Sequence, residues 1–214
     1  MHIHAAGRSA RAAGSMCKDI HYAKVCAMTS AAVSKEDVLD RLAKVFRDQG
    51  YEAASLSRLA KASGLGKASL YYHFPNGKQE MALAVIERAE MLFSEQILQP
   101  LRSGDAPAQR IAQFLRNLDT YYCNGEESCL LGVFAMTAVP EEFEQYIVSG
   151  LKRWIDELSA VLEEAGLLRK MALGRAETAV CWIEGALLVS RGTKSTKPFK
   201  QMLSQLKAFL LHDL

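Results

Sequence analysis

The sequence predicts an all-α protein in which a three-helix domain precedes a larger helical bundle. Two short helical stretches flank a glycine turn at Gly64, after a first helix with its own apolar face. Beyond Pro100, breaks rich in Gly and Pro divide a long helical stretch into about five helices, and no strand pattern competes there. These observations favour two helical domains in sequence.

Residues 1–33 are expected to form a disordered basic leader or arm. Up to Ser30 this stretch has four basic residues against one acid and no sustained apolar period. A solvated tail and an arm that tracks DNA both fit this composition. Either Met1 or Met28 is the natural start, because the first helix follows Met28 closely. The chain shows neither a secretory signal nor a membrane-spanning stretch, which predicts a soluble, cytoplasmic protein.

The three-helix domain is expected to span residues 34–80. Ser34 can cap the first helix, which carries acids in its first turn and ends at Gly50. Ser55 can cap the second helix, and the third runs from about Lys67 to His73. The expected core comprises Leu42, Phe46, Leu56, Leu59, Leu65, Leu70 and Phe74.

The second and third helices have the lengths and the turn of a DNA-reading helix-turn-helix. Arg58, Lys61, Lys67 and Lys78 lie between residues 53 and 79, where there is no Asp or Glu, although the whole chain is formally only +2. Such a segment can face phosphates without repulsion from carboxylates. A solvated helix pair within a larger bundle is the alternative.

Residues 55–74, followed by Pro-Asn-Gly-Lys-Gln-Glu at 75–80, resemble the amino-terminal domain of the TetR (tetracycline repressor) family of one-component regulators. The most similar part is Leu-Tyr-Tyr-His-Phe at 70–74, which matches the family's Leu-Tyr-x-His-Phe signature, with Lys78 four residues beyond it. The chain departs from the family at Gly66, where Ser or Thr commonly caps the recognition helix. Glycine backbone or water must satisfy that helix end here.

The resemblance implies specific contacts with DNA. Lys67, Ser69 and Tyr72 are expected to approach base edges. Ser55, Tyr71, His73 and Lys78 are expected to contact phosphates. A core position is the alternative for Tyr71 and the expectation for Phe74.

Residues 81–214 are expected to form a helical ligand-binding and dimerisation domain. A helix over about 78–98, ended by Pro100, enters this domain. A tilt of this helix would change the spacing between the reading heads, which are the two DNA-binding domains of a dimer. The other expected helices span 111–123, 129–138, 141–165, 172–191 and 199–211.

Aromatic and soft side chains of this bundle can wall a pocket for a flat apolar molecule. The candidate pocket residues are Tyr121, Tyr122, Cys129, Phe134, Met136, Phe143, Trp154 and Trp182. Each of these side chains can equally belong to the hydrophobic core. Cys-Leu-Leu-Gly at 129–132 and Gly-Ala-Leu-Leu-Val-Ser-Arg at 185–191 resemble the multidrug-type and flavonoid-responsive repressors of the family. That resemblance implies a ligand-released repressor that senses a small apolar or aromatic effector.

The last two helices are expected to form a homodimer through a four-helix interface. The candidate contact residues are Gly185, Leu188, Phe199, Met202, Leu206 and Phe209. The alternative is that both helices only close the core of the monomer. A two-fold dimer predicts a palindromic double-stranded DNA operator.

Two alternative functions also fit parts of this sequence. The 5 cysteines contain no C-x-x-C pair, which predicts reduced thiols. Cys123 and Cys129 flank a short loop, so a redox-responsive regulator is one alternative. A helical protein-binding adaptor without operator specificity is another, but it leaves the acid-free reading segment unexplained.

Catalytic and metal-binding signals are weak in this sequence. There is no phosphate loop, nucleophile elbow or spaced set of His and carboxylate ligands, and His2 and His4 make no recognisable zinc site. The sequence therefore predicts a protein that is not an enzyme and needs neither a cofactor nor a metal.

Overall fold

A computed structural model describes residues 33–212, and this part of the chain is all helical, with no strand. The expected all-α class is confirmed. The expectations for the leader lie outside the described residues. The helices are α1 Lys35–Ala53, α2 Leu56–Ser63, α3 Lys67–His73, α4 Lys78–Phe93, α5 Pro107–Tyr121, α6 Leu130–Ala135, α7 Glu141–Glu164, α8 Arg169–Thr193 and α9 Lys197–Leu210. Between α4 and α5 lie a π-helical turn, Ser94–Leu98, and a 3₁₀ turn, Gln99–Arg102.

Side-chain caps begin the first two helices as the sequence predicts. Ser34 Oγ accepts a hydrogen bond from the Asp37 N–H at 3.1 Å, and Ser55 Oγ accepts one from the Arg58 N–H at 3.4 Å. Gly64, with φ 77°, closes α2, whereas Gly66 begins α3 without a side-chain cap. Helix α1 continues past its expected end to Ala53, but the backbone leaves helical geometry at Gly50.

The first of two hydrophobic cores joins α1–α4 to α6 and the start of α7. Leu42, Phe46, Leu59, Leu70 and Phe74 are buried in it as expected, whereas Leu56 and Leu65 are half-buried. Phe134 and Phe143 complete the same core, and their rings lie against Phe46 and Tyr51 of α1. The three-helix domain therefore shares its core with α6 and α7.

The second core lies among α5, α7, α8, α9 and the turns after α4. It includes Phe114, Trp154, Leu158, Ile183, Phe199 and Leu206. The buried Arg110 closes the loop before α5, because it pairs with Glu164 and donates to the carbonyls of Leu101 at 3.0 Å and Ser103 at 3.2 Å. This bundle forms the larger half of the described chain.

Two sets of polar contacts join α4 to α1. Arg88 forms a bidentate ion pair with Asp40, at 2.6 Å and 2.9 Å. At the other end, Lys78 Nζ donates to the carbonyls of Tyr51 at 3.1 Å and Glu52 at 3.3 Å. Within residues 33–212, none of the helices has the length and apolar character needed to cross a membrane.

Candidate DNA interface and sensing cavity

Helix α3 turns one face into the first core and the other outward. Leu70 is buried, whereas Lys67, Ser69, Tyr71, Tyr72 and His73 are exposed, and Tyr72 is 83% exposed. A tyrosine this exposed stabilises no core, so its ring is available to a partner. The helix therefore presents a compact set of donors and rings on one surface.

Ser55 and Lys78 already have hydrogen-bond partners within the protein. The Ser55 hydroxyl caps α2, and Lys78 donates to two carbonyls while its ammonium lies 4.3 Å from the centre of the Tyr51 ring. A phosphate bound by Lys78 would share its ammonium with the carbonyls of Tyr51 and Glu52 at the end of α1. The resemblance gave no sign of this structural role.

The charged side chains of residues 53–79 are all basic. Arg58, Lys61 and Lys67 are exposed, and residues 53–79 contain no carboxylate. Phosphates could approach these side chains without a competing acid from the same segment.

A cavity that is partly open to solvent lies where α4, α5, α6 and α7 meet. Aromatic rings form much of its wall: Phe93 packs edge-on against Tyr121 at 5.6 Å and against Trp154 at 4.9 Å, between ring centres. The full lining is Ala89, Glu90, Phe93, Leu98, Tyr121, Tyr122, Cys129, Leu130, Leu131, Gly150, Leu151, Arg153 and Trp154. A flat apolar molecule would meet rings on several sides.

Half of the predicted ligand-binding residues line this cavity, namely Tyr121, Tyr122, Cys129 and Trp154. The others lie elsewhere. Phe134 and Phe143 fill the first core, because the last turn of α6 packs against α1. Met136 is exposed beyond the end of α6, and Trp182 lies half-exposed on α8.

Sequence reasoning missed the contribution of α4, including Ala89, Glu90 and Phe93. The sequence signal for this contribution is the apolar face at the end of that helix. The same face also fits a simple connection between the two domains. The same reasoning missed Gly150 and Arg153 of α7. Both residues lie on the turn that carries Trp154.

Cys129 is a poor candidate for a redox switch. Its Sγ accepts a hydrogen bond from the Gly132 N–H at 3.4 Å and caps α6. Burial raises the pKa of the Cys129 thiol to about 12, and the nearby Glu184 adds to the effect. Since the thiolate is the reactive form, this environment opposes oxidation.

The outer face of α8 is apolar and carries small residues. Trp182, Gly185, Leu188 and Val189 are exposed there, and the Phe209 ring of α9 lies 4.7 Å from that of Trp182. Phe199, Met202 and Leu206, expected in the dimer interface, are instead buried in the second core. They repeat at i, i+3 and i+7, so one face of α9 points into its own protomer.

Four polar contacts join α1 to the sensing bundle. Arg47 Nη2 lies 3.4 Å from the Tyr121 hydroxyl, and Lys44 Nζ lies 3.4 Å from Glu127. Arg191 of α8 donates to the carbonyl of Arg47 at 2.8 Å and to that of Asp48. The first helix of the reading domain therefore contacts a wall of the cavity and the end of α8.

Two protein-family models match the chain. "Bacterial regulatory proteins, tetR family" matches residues 38–85, and "Transcriptional regulator LmrA/YxaF-like, C-terminal domain" matches residues 107–205. The first contains the predicted helix-turn-helix, and the second covers most of the bundle.

Similar proteins are bacterial regulators. The HTH-type transcriptional regulator LmrA of Bacillus subtilis is 27% identical over 80% of this chain and 93% of its own length. An uncharacterised HTH-type regulator of the same organism, YxaF, is 27% identical over 84% and 96%. The solved structure of a TetR transcriptional regulator from Legionella pneumophila has the same fold, with a TM-score of 0.72, 23% identity, and coverage of 83% of this chain and 97% of that one.

These matches agree with the helix-turn-helix surface and the all-helical bundle. The relatives are transcriptional regulators, not enzymes. The chain therefore belongs to the TetR family of DNA-binding transcriptional regulators, with a carboxy-terminal domain of the LmrA/YxaF type.

Proposed function

We propose that this chain is a homodimeric repressor that a small apolar or aromatic molecule releases from a palindromic operator. Residues 34–80 would read DNA, and residues 81–214 would bind the effector and dimerise. Lys67, Ser69 and Tyr72 would contact base edges, while Ser55, Tyr71, His73 and Lys78 would contact phosphates.

The observation that carries the proposal is the position of α4. Its last turns form a wall of the cavity through Ala89, Glu90 and Phe93. Its first turn follows the reading helix α3 after only a short turn, and Lys78 and Arg88 attach it to α1. A ligand that displaces the far end of α4 would therefore reorient α1 and α3.

Release follows from this geometry by linkage. If the ligand binds best when the two reading heads do not match successive major grooves, it must weaken operator affinity by the same coupling free energy. The exposed face of α8, with Gly185 and Leu188 against a symmetry mate, would set the spacing of the heads.

A screen for operator release tests this function. Aromatic compounds are added to protein bound to its selected operator, and any that release it are tested against Leu151→Trp, which fills the cavity. The proposal expects this variant to bind operator but not to respond. Leu168→Trp, at a residue 74% exposed and outside the cavity, is the matched control. A compound that releases both variants equally would overturn the assignment of the cavity.

A further inference from the structure

Two buried polar atoms of cavity-lining side chains have no hydrogen-bond partner among residues 33–212. They are Oε1 of Glu90, on α4, and Nε1 of Trp154, on α7, and both side chains line the cavity. A buried polar atom without a partner destabilises a protein, so such atoms are uncommon in folded proteins. Here the acceptor and the donor belong to side chains that line the same cavity.

Both side chains lie near the same face of α7. Glu90 Oε1 lies beside Gly150, where an added Cβ would be 3.0 Å from this oxygen. Gly150 and Trp154 are four residues apart, so they lie on the same face of α7 about 6 Å apart along its axis. A ligand that lies along this face can therefore place one hydroxyl, or two adjacent polar groups, near both side chains.

Gly150 gives the carboxylate this position. A side chain there would also meet Leu131 Cδ1 at 2.6 Å, so the close approach of α4, α6 and α7 depends on glycine. Burial raises the pKa of the Glu90 carboxyl, opposed by Arg153 and assisted by Glu87. Arg153 is exposed at the edge of the cavity and makes no ion pair with Glu90 within 4.0 Å among the described residues.

We infer that the effector is an aromatic molecule that donates a hydrogen bond to Glu90 and accepts one from Trp154 Nε1. The rings of Phe93, Tyr121 and Trp154 would hold its planar part. A hydroxyl or a protonated amine can be the donor, since both satisfy an unpartnered carboxylate oxygen. This inference rests on the proposed function, because it gives the chemistry of the same cavity.

The test compares three naphthyl probes that differ only in their polar group: naphthalene, 2-naphthol and 2-(aminomethyl)naphthalene. Ligand-observed NMR or equilibrium dialysis gives their dissociation constants for the full-length protein. One hydrogen bond to a charged group predicts that a donor-bearing probe binds about tenfold or more tightly than naphthalene. Equal affinity of all three probes would overturn the inference.

Variants of Glu90 and Trp154 show which side chain causes the tighter binding of the donor-bearing probes. Glu90→Leu removes the acceptor and should abolish the preference while naphthalene still binds. Glu90→Gln keeps an acceptor without the charge, so it should retain a preference for 2-naphthol but lose one for the amine. Trp154→Phe removes the indole donor and should weaken 2-naphthol alone, because the ammonium of the amine accepts no hydrogen bond. Glu95→Gln, at an exposed position in the π-helical turn after α4 and outside the cavity, is the matched control.

Two failures are distinguishable. If none of the probes binds to protein that still binds operator, the cavity is not a ligand site and the effector part of the proposed function fails with the inference. If the probes bind but their preference survives Glu90→Leu, only the polar subsite is overturned. A thermal melt of each variant establishes that it is folded.

Discussion

The guanidinium of Arg47, in the reading domain, contacts the hydroxyl of Tyr121, in the wall of the cavity. Nη2 lies 3.4 Å from that oxygen, and Cζ lies 5.9 Å from the centre of the ring. Arg47 Nε is buried without a partner. Arg47 lies on α1, so a shift of Tyr121 would be transmitted directly to that helix.

A double-mutant cycle measures this contact. Arg47→Met and Tyr121→Phe should show an interaction free energy of about 0.5–1 kcal/mol in urea unfolding, as expected for one hydrogen bond. Protein concentration must be fixed, since dimerisation adds to apparent stability. Strictly additive effects would show that the two side chains do not interact.

The reading helix gives a second prediction. Lys67→Ala should weaken operator binding and reduce the slope of log affinity against log salt by about one unit if it contacts a phosphate, and by less if it contacts only base edges. Tyr72→Ala should weaken binding about tenfold or more without loss of stability, because Tyr72 is 83% exposed. Lys170→Ala, on α8, is the control. Unchanged binding by both variants would exclude α3 as the reading helix.

The apolar face of α8 gives a third prediction. Leu188→Glu should convert a dimer to a monomer in sedimentation experiments, because the residue is 52% exposed in one protomer and would be desolvated in a dimer. Operator affinity should fall with it. Leu168→Glu, also exposed, should leave the assembly intact, and a dimer that survives Leu188→Glu must use another face.

The turn before α6 contains a glycine at which any side chain would be strained. Gly125 has φ 92°, and an added Cβ would lie 2.6 Å from the Cβ of Phe199. Gly125→Ala should lower the free energy of unfolding by about 2–4 kcal/mol through strain and overpacking. Gly104→Ala, with nothing within 4 Å, should change it by less than about 1 kcal/mol. Equal effects in urea melts would contradict this packing.

Glu184 gives a pH-dependent prediction. Burial raises the pKa of its carboxyl in the folded protein, and its Oε1 has no partner among the described residues. The folded state therefore binds the proton more readily than the unfolded state, so ionisation costs stability as pH rises above the ordinary glutamate range. Glu184→Gln should be more stable than the parent near pH 7, and the gain should vanish below about pH 4.

The control for this effect is Glu177→Gln, on the exposed side of the same helix. Urea unfolding at both pH values compares the variants. A Glu184→Gln protein that is less stable at neutral pH would mean that the carboxylate makes a favourable interaction there.

The sequence was sufficient to predict most of the helices and the helix-turn-helix domain. Ser34, Ser55 and Gly64 define helix ends through local backbone chemistry, and the 70–74 signature identifies α3. Such features depend on neighbouring residues alone, so the expected bounds of α5–α9 differ from the observed ones by only a few residues.

The cavity and the dimer face were harder to predict because they depend on tertiary packing. Periodicity shows that Phe199 and Leu206 share a face of α9 but not that this face packs into their own protomer. Likewise, Phe134 and Trp154 look alike as aromatic residues on helices, yet only Trp154 lines the cavity. Glu90 gave no sequence signal, because an acid on a helix is usually solvated.

The most direct test of the central claim is selection of bound sites from a random double-stranded DNA library, followed by titration of the enriched site at two salt concentrations with competitor DNA. The account predicts one palindromic sequence that binds two protomers, survives competitor, and loses affinity with Lys67→Ala. No enriched sequence, or binding that competitor abolishes, would contradict a sequence-specific dimeric repressor.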